Sequence, residues 1–263
     1  MNKKYFIKNN SIFTLEKLFS CMKKGKYCVV GAGPSLNLCG SDIKKLITEE
    51  YIFILSDSIA HSFIQKFPKS KRIIFTVEYR YHNYLKKLTD EKIAIYQNSN
   101  LRNFSSILNE YYLFNFVKEN NLFNIKNLIS LISAGTVVGA QLSWVLYCAK
   151  IIKFKEVPKI YLIGIDLSFI DSIVYSRYFQ SKINYSLNRF YNRMTDEYLS
   201  VLKKASHIQV VNKQVIKTSN EFFLTKKNIE KLLSTINFPV NIFDFSPLGI
   251  SHPLVKKIIP KDL

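Results

Sequence analysis

Short apolar runs recur along the chain, each closed by a turn or by a segment with helical spacing. Tyr27-Cys-Val-Val meets a glycine at Gly31, and Tyr51-Ile-Phe-Ile-Leu meets Ser56. Ile73-Ile-Phe-Thr-Val77 follows, then a weaker run over Ile93–Tyr96. Runs this short and continuously apolar predict strands buried on both faces, as in a parallel sheet. Between them the period changes. Ser41-Asp-Ile-Lys-Lys-Leu46 predicts a helix start with Ser41 as its cap. Ile59, Phe63 and Ile64 have helical spacing, ended by Pro68. The alternation predicts an α/β fold: a Rossmann-like, mostly parallel sheet with helices on both faces.

The ends and the second half are less regular. Ile12, Leu15, Leu18 and Phe19 predict an N-terminal helical arm over residues 1–24, leaving residues 25–263 as a single nucleotide-binding domain. A helix is expected within residues 106–119. Residues 127–149 carry no charge and include Gly135-x-x-x-Gly139, a packing pattern of membrane helices. Ser130, Ser133, Thr136, Gln141 and Ser143 dilute that stretch, which predicts a loop and a buried helix from about Ala134. Lys159-Ile-Tyr-Leu-Ile-Gly164 reads as another buried strand. Residues 168–192, rich in Tyr, Ser and Arg, have no clear period and suit a lid. A helix over 192–205, a strand over 208–211, a helix over 225–235 capped by Thr225, and a closing strand and loop over 242–263 complete the reading.

Composition adds charge to this picture. With 48% hydrophobic and 22% charged residues the chain is a globular one, and its 263 residues can bury one large core. The net charge of +19 attracts polyanions: nucleic acid, anionic lipid or phosphorylated small molecules. The lysines are scattered as pairs, and no nucleic-acid-binding signature accompanies them, so a nucleic-acid partner is not expected. Cys21, Cys28, Cys39 and Cys148 form no C-x-x-C pair, which suits reduced thiols. His61, His82, His207 and His252 form no H-x-x-x-H pair, so no metal site is indicated. No apolar core of signal-peptide length precedes Glu16. The expected location is cytoplasmic, and the basic field is compatible with peripheral contact with an anionic membrane face.

The candidate chemistry gathers at strand ends. Gly31-Ala-Gly33-Pro34-Ser35 follows the first buried strand, where a glycine turn lets backbone N–H groups approach an anion. It lacks the third glycine of a dinucleotide fingerprint and the Gly-Lys-Ser/Thr of a Walker loop. Ser56-Asp57-Ser58 ends the second strand, and Glu78 follows the third. Ser133-Ala-Gly135-Thr136 precedes the uncharged helix and suits a phosphate at a helix start. Gly164-Ile-Asp166 places a carboxylate at the rim where open α/β sheets bind ligands. Each also has a plain structural use, as a turn, a helix cap or an ion pair.

These residues resemble a known family. Val-Val-Gly-Ala-Gly-Pro-Ser-Leu (29–36), Ser-Asp-Ser (56–58), Ser-Ala-Gly-Thr-Val (133–137) and Ile-Tyr-Leu-Ile-Gly-Ile-Asp-Leu (160–167) occur in that order. The order is similar to that of motility-associated-factor flagellin glycosyltransferases and archaeal hydroxymethylpterin diphosphokinase-like proteins. It also resembles Campylobacter-type sialyltransferases. The resemblance covers roughly residues 26–170. It implies a Rossmann-like fold and, from the sialyltransferases, a CMP-activated nine-carbon acidic sugar as donor, no metal, and a glycan or protein hydroxyl as acceptor. It further implies that Gly31, Gly33, Pro34 and Ser35 line the donor phosphate and ribose, and that Ser56 and Asp57 approach the nucleoside. Ser133, Gly135 and Thr136 would meet the cytidine or phosphate. Asp166, with Gly164 before it, would orient sugar or nucleotide. Two departures stand out. Ala32 replaces the Asn of the sialyltransferases, and residues 168–192 hold no His where those enzymes have their base. Asp166 or His252 is then the expected base, and Tyr175, Tyr178, Tyr185 or Tyr191 are the expected hydrogen-bond donors to the phosphate. The diphosphokinase alternative requires ATP and Mg²⁺ held by Asp57, Glu78 and Asp166. A third alternative is a nucleotide-binding scaffold without catalysis.

Overall fold

A computed structural model describes residues 11–76, 91–96, 110–117, 130–132, 137–168, 207–211, 214–247 and 249–261. Strand β1 (Ser11–Thr14) leads through a 3₁₀ turn (Leu15–Leu18) into α1 (Phe19–Met22), and then into β2 (Lys26–Val30). Helix α2 (Gly40–Thr48), β3 (Ile52–Ser56), α3 (Asp57–Lys66), β4 (Lys71–Thr76) and β5 (Ile93–Tyr96) follow. Next come β6 (Glu110–Val117), β7 (Ser130–Ile132), α4 (Val137–Ile151) and β8 (Lys159–Ile163). The hairpin β9 (His207–Val211) and β10 (Gln214–Thr218) precedes α5 (Asn220–Ser234), β11 (Asn241–Asp244) and β12 (Val255–Lys257).

Ten strands form one sheet in the order β1-β6-β5-β4-β3-β2-β8-β11-β12, with β7 also on β6. Every described pairing within it is parallel. On β6, β1 pairs along Glu110–Leu113 and β7 along Asn115–Val117. The expected α/β sheet with helices on both faces is therefore present. Its continuous apolar strands divide by the period-two pleat. Tyr27, Val29, Ile52, Ile54, Ile160 and Leu162 face one core, with α4 and α5. Cys28, Val30, Phe53, Leu55 and Ile163 face the other, with α2 and α3. Cys28, Cys39 and Cys148 are buried, and none of the three is in a disulfide.

Several local expectations need correction. Residues 15–22 are helical, but Ser11–Thr14 is a strand, drawn into the sheet by parallel pairing with β6. Leu15, Leu18 and Met22 are fully buried in the α4 core, so this stretch is packed into the core and does not project as an arm. The helix expected within 106–119 is absent over β6. Its Tyr-Tyr-Leu-Phe-Asn-Phe-Val sequence suits a pleated, half-buried surface, and pairing on both sides overrides any helical spacing. Ser41 lies inside α2, whose N-cap is Cys39 without a side-chain bond. The final helix begins at Asn220. Ser219 caps it by accepting from the Phe222 N–H, and Thr225 is buried in its second turn. The uncharged stretch supplies α4, which packs on β2, β3 and β4. Among the described residues no helix is long and apolar enough to cross a membrane.

Trp144 of α4 ties the N-terminal segment to this core. It is fully buried and stacks on Phe19, with centroids 5.4 Å apart and planes 4° from parallel. Trp144→Ala is expected to lower the unfolding free energy by about 3–5 kcal/mol, read as a reduced urea midpoint. Ile151, 47% exposed at the far end of the same helix, is expected to tolerate alanine within about 0.5 kcal/mol.

Candidate functional site

Because the strands are parallel, Val30, Ser56, Thr76, Ile163 and Asp244 all end at one rim. The sequence moves from β2 out through β3, β4, β5 and β6, then returns to β8 on the other side of β2. The crevice between β2 and β8 is therefore the topological switch point, where open α/β sheets bind ligands at their carboxyl ends.

Two turns face each other across it. The Gly31 N–H donates to Ile163 O at 2.9 Å, and the Gly33 N–H to Gly164 O at 2.8 Å. Little room separates them. A Cβ on Gly31 would lie 2.5 Å from Gly164 O, and one on Gly33 would lie 2.2 Å from Asp166 Oδ2. Gly164 has φ +66, a left-handed conformation that glycine adopts without strain, and a Cβ there would meet Gly31 O at 2.8 Å. These glycines thus serve the close approach of two chain segments. The expected anion cradle is corrected accordingly. The Gly31, Gly33, Ser35 and Leu36 N–H groups are all engaged within the protein, and Pro34 has none.

Past Gly33, Pro34 opens a 3₁₀ turn (Pro34–Leu38), and the Ser35 N–H donates to Asp166 Oδ2 at 2.9 Å. Asp166 is 1% exposed, and its Oδ1 is buried without a hydrogen-bond partner. Burial raises its pKa from 3.8 to about 7; the Ser35 N–H and hydroxyl oppose the shift, the Asp244 charge adds to it and Lys257 opposes it. Leu167, next in sequence, has φ +50, and its carbonyl accepts from Thr218 Oγ1 at 2.8 Å. A left-handed leucine beside a buried, half-satisfied carboxyl is the kind of strain that functional sites store.

A second layer lies beneath Asp166. Ser246 Oγ is 3.0 Å from Ser35 Oγ and accepts from the Ile165 N–H at 3.0 Å. Asp244, fully buried, accepts from Lys257 Nζ at 2.6 Å and from the Ser246 N–H at 2.8 Å. Burial raises the pKa of Asp244, against Lys257 and Ser246. Burial lowers that of Lys226 on α5, while Glu230 opposes and Lys257 adds to the effect. Sequence reasoning missed Asp244, Ser246 and Lys257. The signal was available: Asp244-Phe-Ser246 ends a strand just as Ser56-Asp57-Ser58 does.

The remaining expected residues divide. Ser56 and Ser58 share a hydroxyl contact of 3.0 Å, and Asp57 Oδ2 accepts from Thr76 Oγ1, all buried one strand away from the crevice. Asp57 and Asp166, two of the carboxylates the Mg²⁺ alternative relies on, are thus each engaged. Among the described residues no group of three or more His, Cys, Asp and Glu is placed to hold a metal ion. His252 is not brought to the crevice. Its Nε2 lies 3.0 Å from Ser234 Oγ, and its Nδ1 accepts from the Leu254 N–H. Ser234 is eight residues along α5 from Lys226, about 12 Å down the helix and away from the rim. Both ring nitrogens are occupied there, so the expected role of His252 as base is corrected. Ser133, Gly135, Thr136, Glu78 and the tyrosines of 168–192 lie outside the described residues.

No family model matches the chain, and no curated protein does. Among solved structures, the MAf glycosyltransferase from Magnetospirillum magneticum AMB-1 has the same fold, with a TM-score of 0.59 at 13% identity. The alignment covers 92% of this chain and 34% of that one, so the chain spans about a third of that protein's length. The likeness establishes the Rossmann-like fold.

Two outcomes test this geometry. Gly33→Ala is expected to destabilise by about 1–3 kcal/mol, measured by denaturant titration, because the new methyl overlaps Asp166 Oδ2. The raised Asp166 also makes stability fall with pH. Below 3.8 the carboxyl is neutral in both states. As pH rises toward 7 the unfolded chain ionises first, so the Asp166 contribution is lost across that window. Asp166→Asn is expected to flatten the fall between pH 4 and 7.

Proposed function

We propose that this chain is a glycosyltransferase that takes a nucleotide-activated sugar at the crevice between β2 and β8. The observation that carries the reading is Asp166. It sits at the switch point with one oxygen fixed by the Ser35 N–H and the other buried and unpartnered. A base should titrate near the working pH, and burial brings Asp166 there. The fold shared with a MAf glycosyltransferase accords with this reading.

In the proposed reaction an acceptor hydroxyl attacks the anomeric carbon of the donor. The new C–O bond forms as the bond from that carbon to the phosphate oxygen breaks. The nucleotide leaves with the electron pair, and the hydroxyl proton passes to Asp166. The positive field of the chain favours the departing phosphate. The donor we propose is a CMP-activated, sialic-acid-like nonulosonate, on the order of the motifs around Gly31–Ser35 and Gly164–Asp166. The acceptor is a glycan or protein hydroxyl, and the expected place of action is the cytoplasm.

The test is thermal stabilisation by CMP, CDP, UDP, GDP and ATP, each with and without Mg²⁺, since a ligand of the folded state raises the midpoint by mass action. A rise with CMP that EDTA leaves intact, together with CMP release from a CMP-sugar that Asp166→Asn abolishes, is the expected result. A rise confined to ATP with Mg²⁺ would move the chain to diphosphoryl transfer. CMP binding without turnover would leave a scaffold.

A further inference from the structure

At the opposite, amino-terminal edge of the sheet lies a cavity of about 530 Å³, the size of a small-molecule site. It opens between the turn after α1 and the starts of β3 and β4, with Lys92 just ahead of β5 as a further wall. Its walls carry Lys23, Lys24, Lys71, Arg72 and Lys92 against two carboxylates, Glu50 and Glu91.

Both carboxylates are committed. Glu50 gives one oxygen to Lys24 and the other to Lys71. Those two lysines hold its pKa down, at about 2. Glu91 takes Arg72 Nη2, while Arg72 Nη1 donates to the Pro68 and Ser70 carbonyls and to Ser70 Oγ. The Arg72 guanidinium is thereby fixed, and its Nε is buried without an acceptor. Lys23 and Lys92 have no acidic partner among the described residues.

Glu50 is the informative residue. It has φ 62, a left-handed conformation at the end of α2 that a glycine would adopt more readily. Its two ion pairs are half-exposed, and pairs of that kind add little stability. What the strained position achieves is geometric: one carboxylate holds two lysines at the mouth of a concave, cationic surface. Concavity focuses that field, and the net charge of +19 reinforces it.

The geometry points to an anion site in this cavity for a multiply charged phosphate group, carried by a soluble phosphate ester or by a lipid headgroup. Lys23 and Lys92 supply the uncommitted charge, and Lys24 and Lys71 are positioned by Glu50. The site is separate from the crevice between β2 and β8 and does not depend on the sugar-transfer reading.

Cys21 lines the same cavity and is the one described cysteine that is not buried, so it can report occupancy. The experiment follows alkylation of Cys21 by iodoacetamide, an uncharged reagent, on the full chain at physiological salt. Inorganic pyrophosphate is expected to slow alkylation saturably. Lys23→Glu with Lys92→Glu is expected to weaken that protection by roughly tenfold or more. Lys66→Glu with Lys231→Glu changes the net charge equally but lies on α3 and α5, and is expected to leave it within about twofold. Vesicles of phosphatidylcholine, with and without phosphatidic acid, separate the two sources. Binding to the acidic vesicles that pyrophosphate displaces, and that the Lys23 and Lys92 changes remove, assigns a headgroup. Protection by pyrophosphate without vesicle binding assigns a soluble ester. No protection by pyrophosphate, or equal weakening in the two charge-reversed variants, would overturn the site and leave only a diffuse field.

Discussion

The structure depends on how closely two chain segments can pass as they leave the sheet. Beyond β2 and β8 the backbones of Gly31 and Gly33 run against Gly164 and the Asp166 carboxylate, at distances that leave no room for a Cβ. That contact fixes the direction of the turn after β2. The direction sets the 3₁₀ turn at Pro34 and brings the Ser35 N–H to Asp166. The same contact seals Asp166 from water, so one constraint of packing produces the feature that makes the rim reactive: a carboxyl whose charge is poorly solvated.

Burial of that carboxyl is tolerated because the next layer supports it. Ser246 bridges Ser35 and the Ile165 N–H, and Asp244 with Lys257 anchors Ser246. The layer arises from β11 and β12, the last strands in the chain, and so the site closes only when the C-terminal strands dock on β8. A partly satisfied polar network is destabilising. The unpartnered Asp166 Oδ1 and the left-handed Leu167 are where this protein carries that penalty.

Much of the arrangement was legible from the sequence. The strands β2, β3, β4, β5 and β8 are each a short apolar run closed by a turn signal, and parallel pairing needs little more. Asp166 follows the buried strand β8, and a residue just past the end of such a strand lies at the rim. The purpose of the glycines was less legible, since a tight approach to an anion and a tight approach to another backbone call for the same residue. β6 misled because its aromatic residues fit a helix or a strand, and only its neighbours in the sheet decide. His252 misled for a different reason. Its chemistry suits a base, but its ring is held against Ser234 at the C-terminal end of α5, a tertiary contact that sequence motifs do not report. Ser11–Thr14 became a strand through a pairing about a hundred residues away, which local spacing cannot reveal.

The central claim is that a nucleotide-sugar donor occupies the crevice between β2 and β8. Backbone hydrogen–deuterium exchange with and without CMP tests it most directly, because it reports where binding acts. The account predicts slowed exchange in peptides spanning residues 31–38 and 164–168, with the amino-terminal edge around residues 20–24 and 70–73 unchanged. Protection confined to that basic edge, or no protection at the crevice at saturating CMP, would contradict it.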